Sequence, residues 1–405
     1  MTTLWDDFKS QFAIPRAGVG ADGIYLCSHS LGLMPRSVRS AMIDQLDVWA
    51  SMGVDGHFRA VDPWIDFNLN CSATLAKWAN CKPAEIIVMN SLTVNLQLAL
   101  ASFYQPRYNR CKVLIESSAF PSDEIAICSH LMVRGVDPHA HLLNADCDPE
   151  THWVDVDRLL TTIEDHKEDL ACVILPMVKH DTGQLLPVQA IGQLCRQYGI
   201  IFGLDLAHAL GSVPVDLAKI DSDFAVFCTY KYLCAGPGAV GGLYVNQRNF
   251  SASVPRLGGW FGQPSSIRFN VNERFRPIED ASGWQVSNPP IFSVAPLKAA
   301  LAIFEKVSRA DYFQQIAILR RHLQIALQNN LPDKLALLGE NSVEGGAAMV
   351  CLQARSQGAA EMAIKELTRS GIICDRRHRT LRLSVMPLYN SIEDIDALIT
   401  VLRGG

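Results

Sequence analysis

Six short apolar runs, spread over residues 85–245 and separated by amphipathic stretches, limit this chain's possible folds more than any other feature. They are Glu85–Val88, Lys112–Ile115, Ala171–Leu175, Ile200–Leu204, Asp223–Phe227 and Gly242–Val245. Runs this short and this apolar predict strands buried on both faces, as happens when helices cover a mostly parallel sheet from either side. One crossover reads directly. Val188–Tyr198 has helical spacing, Gly199 stands where a helix C-cap glycine belongs, and the run from Ile200 follows at once. The expected class is α/β.

After about Pro290 the pattern changes. A long helical stretch is expected from Pro296 to about Ala326, then shorter alternating segments such as Thr380–Ser384, and Ser391-Ile-Glu-Asp394 opens the last helix like a capping box. These predict a second, smaller α+β domain. The expected division is an N-terminal segment, 1–55, packing with the small domain through the stretch around Pro35–Ser51, then a large domain, 56–290, and a small one, 291–405. At 405 residues and 49% hydrophobic content the chain can bury a core of that size.

The net charge of −5 and the lack of a Lys/Arg run argue against nucleic acid as a partner and leave a small molecule. Twelve cysteines are scattered from Cys27 to Cys374 with no CxxC pair and no zinc-ligand spacing, so neither a disulfide framework nor a metal is expected. Met1-Thr-Thr-Leu-Trp-Asp-Asp7 has no basic start or apolar stretch of a signal peptide, and no apolar run of about 18 residues occurs. The expectation is a cytoplasmic protein without a membrane span.

The chemistry gathers between Ile200 and Tyr232. An apolar strand delivers Asp205 at its end, His208 lies one helical step on, and Lys231 follows within Cys228-Thr-Tyr-Lys-Tyr-Leu233. A lysine in an apolar setting has its charged form penalised, which suits an amine that forms an imine and later moves protons. An aspartate after a strand is commonly a helix N-cap. Buried at the carboxyl end of a parallel strand it needs a cation instead, and a pyridinium nitrogen is one. His208 fits either a cofactor contact or a satisfied core histidine. Asn90-Ser-Leu-Thr-Val-Asn95 follows one strand and opens a helix, offering backbone N–H groups to a phosphate, although capping alone would explain Ser91 or Thr93. Together these are the parts a pyridoxal phosphate (PLP) enzyme needs. Gly236-Pro-Gly-Ala-Val-Gly241 matches GxGxxG, but it precedes a strand where a dinucleotide fingerprint must follow one, so a nicotinamide cofactor is rejected.

Ordered blocks along nearly the whole chain resemble the kynureninases, PLP enzymes of aminotransferase fold type I and class V-like. The blocks are Ser30-Leu-Gly-Leu33, Gly56-His57, Pro63-Trp64, Asn90–Asn95, Phe120-Pro-Ser-Asp123, Thr182-Gly-Gln184, Asp205-Leu-Ala-His208, Tyr230-Lys-Tyr232, Gly259-Trp-Phe-Gly262, Ser287-Asn-Pro289 and Pro387-Leu-Tyr-Asn-Ser391. The resemblance implies that Lys231 carries PLP, Asp205 meets its ring nitrogen and Phe120 stacks on the ring. It makes Leu92 and Thr93 phosphate donors, and Tyr230 a phosphate contact and proton relay, with Asp123 and His208 completing the pocket. Trp260 and Asn288 would come from the partner of a homodimer. Arg382 would grip the substrate carboxylate, and His57 would lie against the substrate's aromatic ring. The implied reaction cleaves the Cβ–Cγ bond of L-kynurenine or 3-hydroxy-L-kynurenine to L-alanine and an anthranilate, a step of tryptophan catabolism and NAD biosynthesis.

Departures from the pattern cluster near the cofactor. The segment Pro176–Thr182 looks one residue shorter than usual and lacks a serine, and Asp181 stands in an aromatic position. His29 and Cys234 replace asparagines. A relative acting on a ring-modified kynurenine or another β-substituted amino acid is the alternative within enzymes. A PLP-fold protein without catalysis is the alternative outside them, and the retained Lys231, Asp205 and Arg382 argue against it.

Overall fold

The computed structural model of the chain describes residues 4–17, 21–107, 109–272, 274–339 and 346–404. Met1–Thr3, the start of the stretch read for a targeting signal, lie outside the described residues. After a short helix, Leu4–Ser10, and a few two-residue strands, the N-terminal part contains strand β1 (Ile24–Tyr25) and helix α1 (Ser37–Met52). The large sheet follows with β2 (Ile86–Val88), β3 (Lys112–Glu116), β4 (Leu142–Ala145), β5 (Leu170–Pro176), β6 (Ile201–Asp205), β7 (Phe224–Phe227) and β8 (Gly242–Val245). Its spatial order is β2-β8-β7-β6-β5-β3-β4. Strands β7, β6, β5, β3 and β4 run parallel, whereas β8 is antiparallel to both neighbours. All six apolar runs are strands of this sheet. The strand not anticipated is β4, an edge strand whose Leu-Leu-Asn-Ala sequence is only partly buried and so carries a weak apolar signal.

Successive side chains point to opposite faces, and both faces are covered. Val173, Leu175, Phe202, Leu204, Ala225 and Phe227 face one core, which helix α4 closes with Val188, Ile191 and Cys195. Cys172, Ile174, Phe224, Val226 and Leu243 face the other, beneath Leu96, Ala99 and Leu100 of α2 and Ala126, Ile127 and Leu131 of α3. These helices are α2 (Leu92–Phe103), α3 (Pro121–Val133) and α4 (Val188–Gln197). Gly199 lies just beyond α4 at φ 63°, the left-handed turn expected of it.

The single helix expected over 296–326 is two, α5 (Ile291–Phe304) and α6 (Arg309–Asn330). Ser308 makes the break by capping α6, its hydroxyl accepting from the Asp311 N–H at 3.0 Å. Both helices are apolar enough for the pattern to run across the gap. The rest comprises β9 (Leu335–Leu337), β10 (Met349–Ala354), a helix over Gln357–Arg369, β11 (Ile372–Ile373), β12 (Asp375–Arg377), β13 (Thr380–Ser384) and α7 (Ile392–Gly404). An antiparallel sheet β9-β10-β13-β12 packs its leucines against α6 and α7. The capping box of α7 is present, with Asp394 N–H donating to Ser391 Oγ and Ser391 N–H to Asp394 Oδ2. Strand β1 pairs with β11, and α1 lies along α5 with no residue fully buried. Among the described residues no helix is long and apolar enough to cross a membrane.

Candidate active site

The loops that leave the carboxyl ends of β3, β5, β6 and β7 converge with the start of α2, where ligands bind in open α/β sheets. Lys231, in the turn after β7, is 9% exposed. Its Nζ lies 2.9 Å from His208 Nε2, 5.9 Å from the Phe120 ring centre and 5.8 Å from that of Tyr230. No carboxylate among the described residues is within ion-pair distance of it.

Asp205 ends β6, and its Oδ1 accepts from the Ala207 N–H at 2.7 Å. A turn follows rather than a helix, so the N-cap reading does not apply. Asp123, in the first turn of α3, hydrogen-bonds to Asp205. Burial first, and then the Asp205 charge, hold the Asp123 carboxyl well above its usual range. Burial also raises Asp205, and Lys231 pulls it back. Two negative charges side by side are therefore disfavoured in this pair.

Leu92 and Thr93 open α2, and the preceding Ser91 makes no side-chain cap, so capping does not account for this segment. The first N–H groups of a helix have no intrahelical acceptor and carry its positive end. Gly241 passes so close that a Cβ there would sit 2.9 Å from Leu92 N and 3.0 Å from the Ser91 carbonyl carbon. The last glycine of the rejected GxGxxG motif thus brings β8 against the α2 start.

These parts fit PLP. Among the described residues His208 Nδ1 is buried with no hydrogen-bond partner and the Lys231 amine, bonded to neutral His208, has no carboxylate partner; the acid pair suits a protonated ring nitrogen, and the α2 amides suit a phosphate. Burial, then the charges of Lys231 and Arg382, hold His208 well below its usual pKa, so it is neutral.

Arg382, in β13, is 2% exposed and bonded by Asp375, Ser30 and the His180 carbonyl. His57, Trp260 and Asn288 are not brought to Lys231 within one chain. The His57 ring stands edge-on to Trp64 at 5.3 Å. Trp260, 42% exposed, meets Phe261 and Phe269. Asn288 is exposed and accepts from Ser287 Oγ.

Asp181 has partners of its own in the structure. Asp181 pairs with His152 at 2.9 Å and Lys179 at 3.6 Å, and Lys179 is fully buried 4.0 Å from Glu116. Burial pushes Glu116 up to about 8, with Lys179 opposing. His180, next in the loop, sets its ring edge-on to Phe120 at 5.2 Å. Asp181 and His180 line a cavity of about 680 Å³ with Phe120, His152, Arg377 and Arg379. Cys234 has φ 56°, a left-handed conformation that asparagine adopts far more readily than cysteine. Lys179, Glu116, His180 and Asp375 were absent from the sequence-derived set. For Asp375 a signal existed: an acid seven residues before Arg382, with a turn between, is a cross-strand partner.

Residues 24–398 match the aminotransferase class-V family. A kynureninase of Xanthomonas oryzae pv. oryzae (strain MAFF 311018) is 36% identical over 395 residues, covering 96% of this chain and 93% of its own length. The chain belongs to the class-V aminotransferases and, within them, to the kynureninases. The kynureninase of Xanthomonas campestris pv. campestris (strain 8004) is also 36% identical over 395 residues, with 96% and 92% covered. Two solved structures share the fold of this kynureninase-family chain at low identity. The cystine C–S lyase C-DES, in complex with its reaction product cysteine persulfide, gives a TM-score of 0.78 at 19% identity over 95% of this chain and 98% of that one. The apo cysteine desulfurase of Thermococcus onnurineus NA1 gives 0.73 at 18% identity over 94% of each. The architecture is PLP fold type I, as expected.

Proposed function

We propose that this chain is a PLP-dependent hydrolase that adds water across the Cβ–Cγ bond of L-kynurenine or 3-hydroxy-L-kynurenine, releasing L-alanine and anthranilate or 3-hydroxyanthranilate. The observation that carries this reading is the buried Lys231 amine, bonded to His208 and near the Asp205–Asp123 pair, in a chain 36% identical to a kynureninase over 96% of its length. PLP, when bound, supplies an electron sink at the substrate's Cα. Lys231 Nζ takes and returns the Cα proton, with neutral His208 next to it as an acceptor. Tyr230, kept protonated by burial, gives and withdraws a proton at the Cγ carbonyl oxygen. Asp205 and Asp123 would hold the protonated ring nitrogen, Leu92 and Thr93 the phosphate, and Phe120 the ring face. Arg382 receives the substrate's α-carboxylate.

The working unit in this proposal is a cytoplasmic homodimer in tryptophan catabolism and NAD biosynthesis. Exposed Ile43, Leu46 and Trp49 of α1 supply apolar surface for the contact, and exposed Trp260 and Asn288 reach the other subunit's site, where His57 faces the substrate ring. The chain divides into 1–55, 56–290 and 291–405. Purified enzyme should release alanine and a fluorescent anthranilate from either kynurenine, and borohydride reduction followed by peptide mapping should label Lys231. Release of neither product, or a label on another lysine, overturns the assignment.

A further inference from the structure

The guanidinium of Arg382 is held on nearly every side. Its Nε donates to Asp375 Oδ1 at 2.8 Å and its Nη2 to Asp375 Oδ2 at 2.6 Å. Nη2 also donates to Ser30 Oγ at 3.0 Å, and Nη1 to the His180 carbonyl at 2.7 Å. Among the described residues these bonds commit four of the five N–H groups, leaving one on Nη1. Ser30 Oγ completes the ring of contacts by donating to Asp375 Oδ2.

Asp375 is itself oriented from behind. It faces Arg382 across the β12–β13 hairpin, and its Oδ1 lies 2.8 Å from His29 Nε2. His29 is fully buried, and burial keeps its ring neutral. A neutral imidazole has one N–H and a carboxylate can only accept, so the proton is on Nε2. Nδ1 must then accept from Ser384 Oγ, 3.0 Å away, while the His29 backbone N–H donates to that same oxygen at 3.2 Å. The hydrogen bonds run one way, from Ser384 through His29 to Asp375, and Arg382 enters from the other side. Asp375 is correspondingly held well below the usual carboxylate range: burial would raise it, but the hydrogen bonds from His29 and Arg382 outweigh that.

We propose that His29 and Asp375 are positioning residues that fix the plane of the Arg382 guanidinium, and through it the affinity for the substrate's α-carboxylate. The proposal rests on the reading that Arg382 receives that carboxylate. Because Arg382 and Asp375 together carry no net charge, the carboxylate is recognised by a correctly aimed N–H more than by excess positive charge. A long side chain freed from its clamp keeps its charge and loses its aim.

The test uses the PLP-loaded enzyme and three variants, with kynurenine as substrate and two probes: L-alanine, titrated by the change in cofactor absorbance, and kynuramine, which is kynurenine without its carboxylate. Asp375→Asn and His29→Leu should raise KM for kynurenine and Kd for L-alanine by about tenfold or more while kcat stays within about threefold, the pattern of lost binding without lost chemistry. Inhibition by kynuramine should be unchanged in both. His29→Asn, whose amide can donate to Asp375, should stay within about threefold of the parent in KM. If Asp375→Asn does not fold, the two His29 variants decide. Unchanged or tighter L-alanine binding in His29→Leu, or an equal loss of kynuramine binding, overturns the clamp. Failure of the parent enzyme to cleave any kynurenine would instead overturn the proposed reaction, and the L-alanine titration would still report on the clamp.

Discussion

Gly241→Ala tests the idea that the cofactor's phosphate cradle depends on how closely β8 approaches the start of α2. A Cβ at this position would meet Leu92 N at 2.9 Å, Phe227 O at 3.0 Å and the Ser91 carbonyl carbon at 3.0 Å. All three are backbone atoms, so no side chain can swing away. The Gly241 N–H also donates to the Asn90 carbonyl at 2.7 Å, which ties it to the same loop. Overpacking of this kind costs roughly 1–3 kcal/mol. If α2 gives way, that cost appears in cofactor binding as a roughly 5- to 150-fold weaker PLP affinity. The measurement is an absorbance titration of the apoenzyme with PLP, alongside thermal melting. Gly358→Ala is the control, since a Cβ there meets no atom within 4 Å. Parent-like PLP affinity in Gly241→Ala would refute the reasoning, and a lower melting temperature with unchanged affinity would show that the strain is relieved away from α2.

Mixing inactive Lys231→Ala with inactive Asn288→Ala subunits should restore part of the activity through hybrid dimers, and a monomer at working concentration would sink the shared-site proposal. His57 and Asn288, placed against the substrate ring in the proposed dimer, offer hydrogen-bonding groups to a ring hydroxyl, so 3-hydroxykynurenine should exceed kynurenine in kcat/KM and His57→Ala should narrow the gap with PLP still bound; equal parent turnover of both is the contrary result. His29, beside Asp375 and Arg382, is held down to about 4 by burial. Below the ordinary histidine pKa of about 6.5 the unfolded chain takes a proton that the folded chain refuses, so this group's contribution falls as pH drops from 6.5 towards 4. Between about pH 7.5 and 5 the stability difference should therefore move in favour of His29→Asn by about 2 kcal/mol, read by urea unfolding, and a constant difference would contradict the assignment of a neutral ring.

Lys231, Asp205 and the start of α2 could be singled out in the sequence because each stands just after a strand or at a helix start, where local pattern and chemistry coincide, whereas Asp123 came only through the family resemblance. The antiparallel course of β8 was not, since an apolar run reads the same in either direction and only its partners β7 and β2 decide. The gap between α5 and α6 was hidden because both helices are apolar across it. The surroundings of Arg382 were the least legible part. Asp375 has its hairpin spacing to Arg382, but Ser30, His29 and His180 come from two distant stretches of chain, and no spacing rule relates them to it. The Pro176–Thr182 departure showed in sequence as a missing serine and an aspartate in an aromatic position, and the pairing of Lys179 with Glu116 beneath it depends on the end of β3 lying beside it in space.

The position of β8 in the sheet also sets the order in which a newly made chain can become an enzyme. Gly242 of β8 pairs with Val88 of β2, 154 residues earlier, and β8 separates β2 from β7. Until Val245 has been synthesised, β2 and β7 each keep a bare edge, and the phosphate cradle and the Lys231 turn have no common support. β1 waits longer still, since Ile24 pairs with Ile372. Pairings so distant in sequence form slowly and leave strand edges open to wrong partners meanwhile. Cofactor uptake is therefore a late event in biosynthesis, and a ribosome-bound fragment ending before β8 would be expected to depend on chaperones, with no vitamin B6 derivative to steady it.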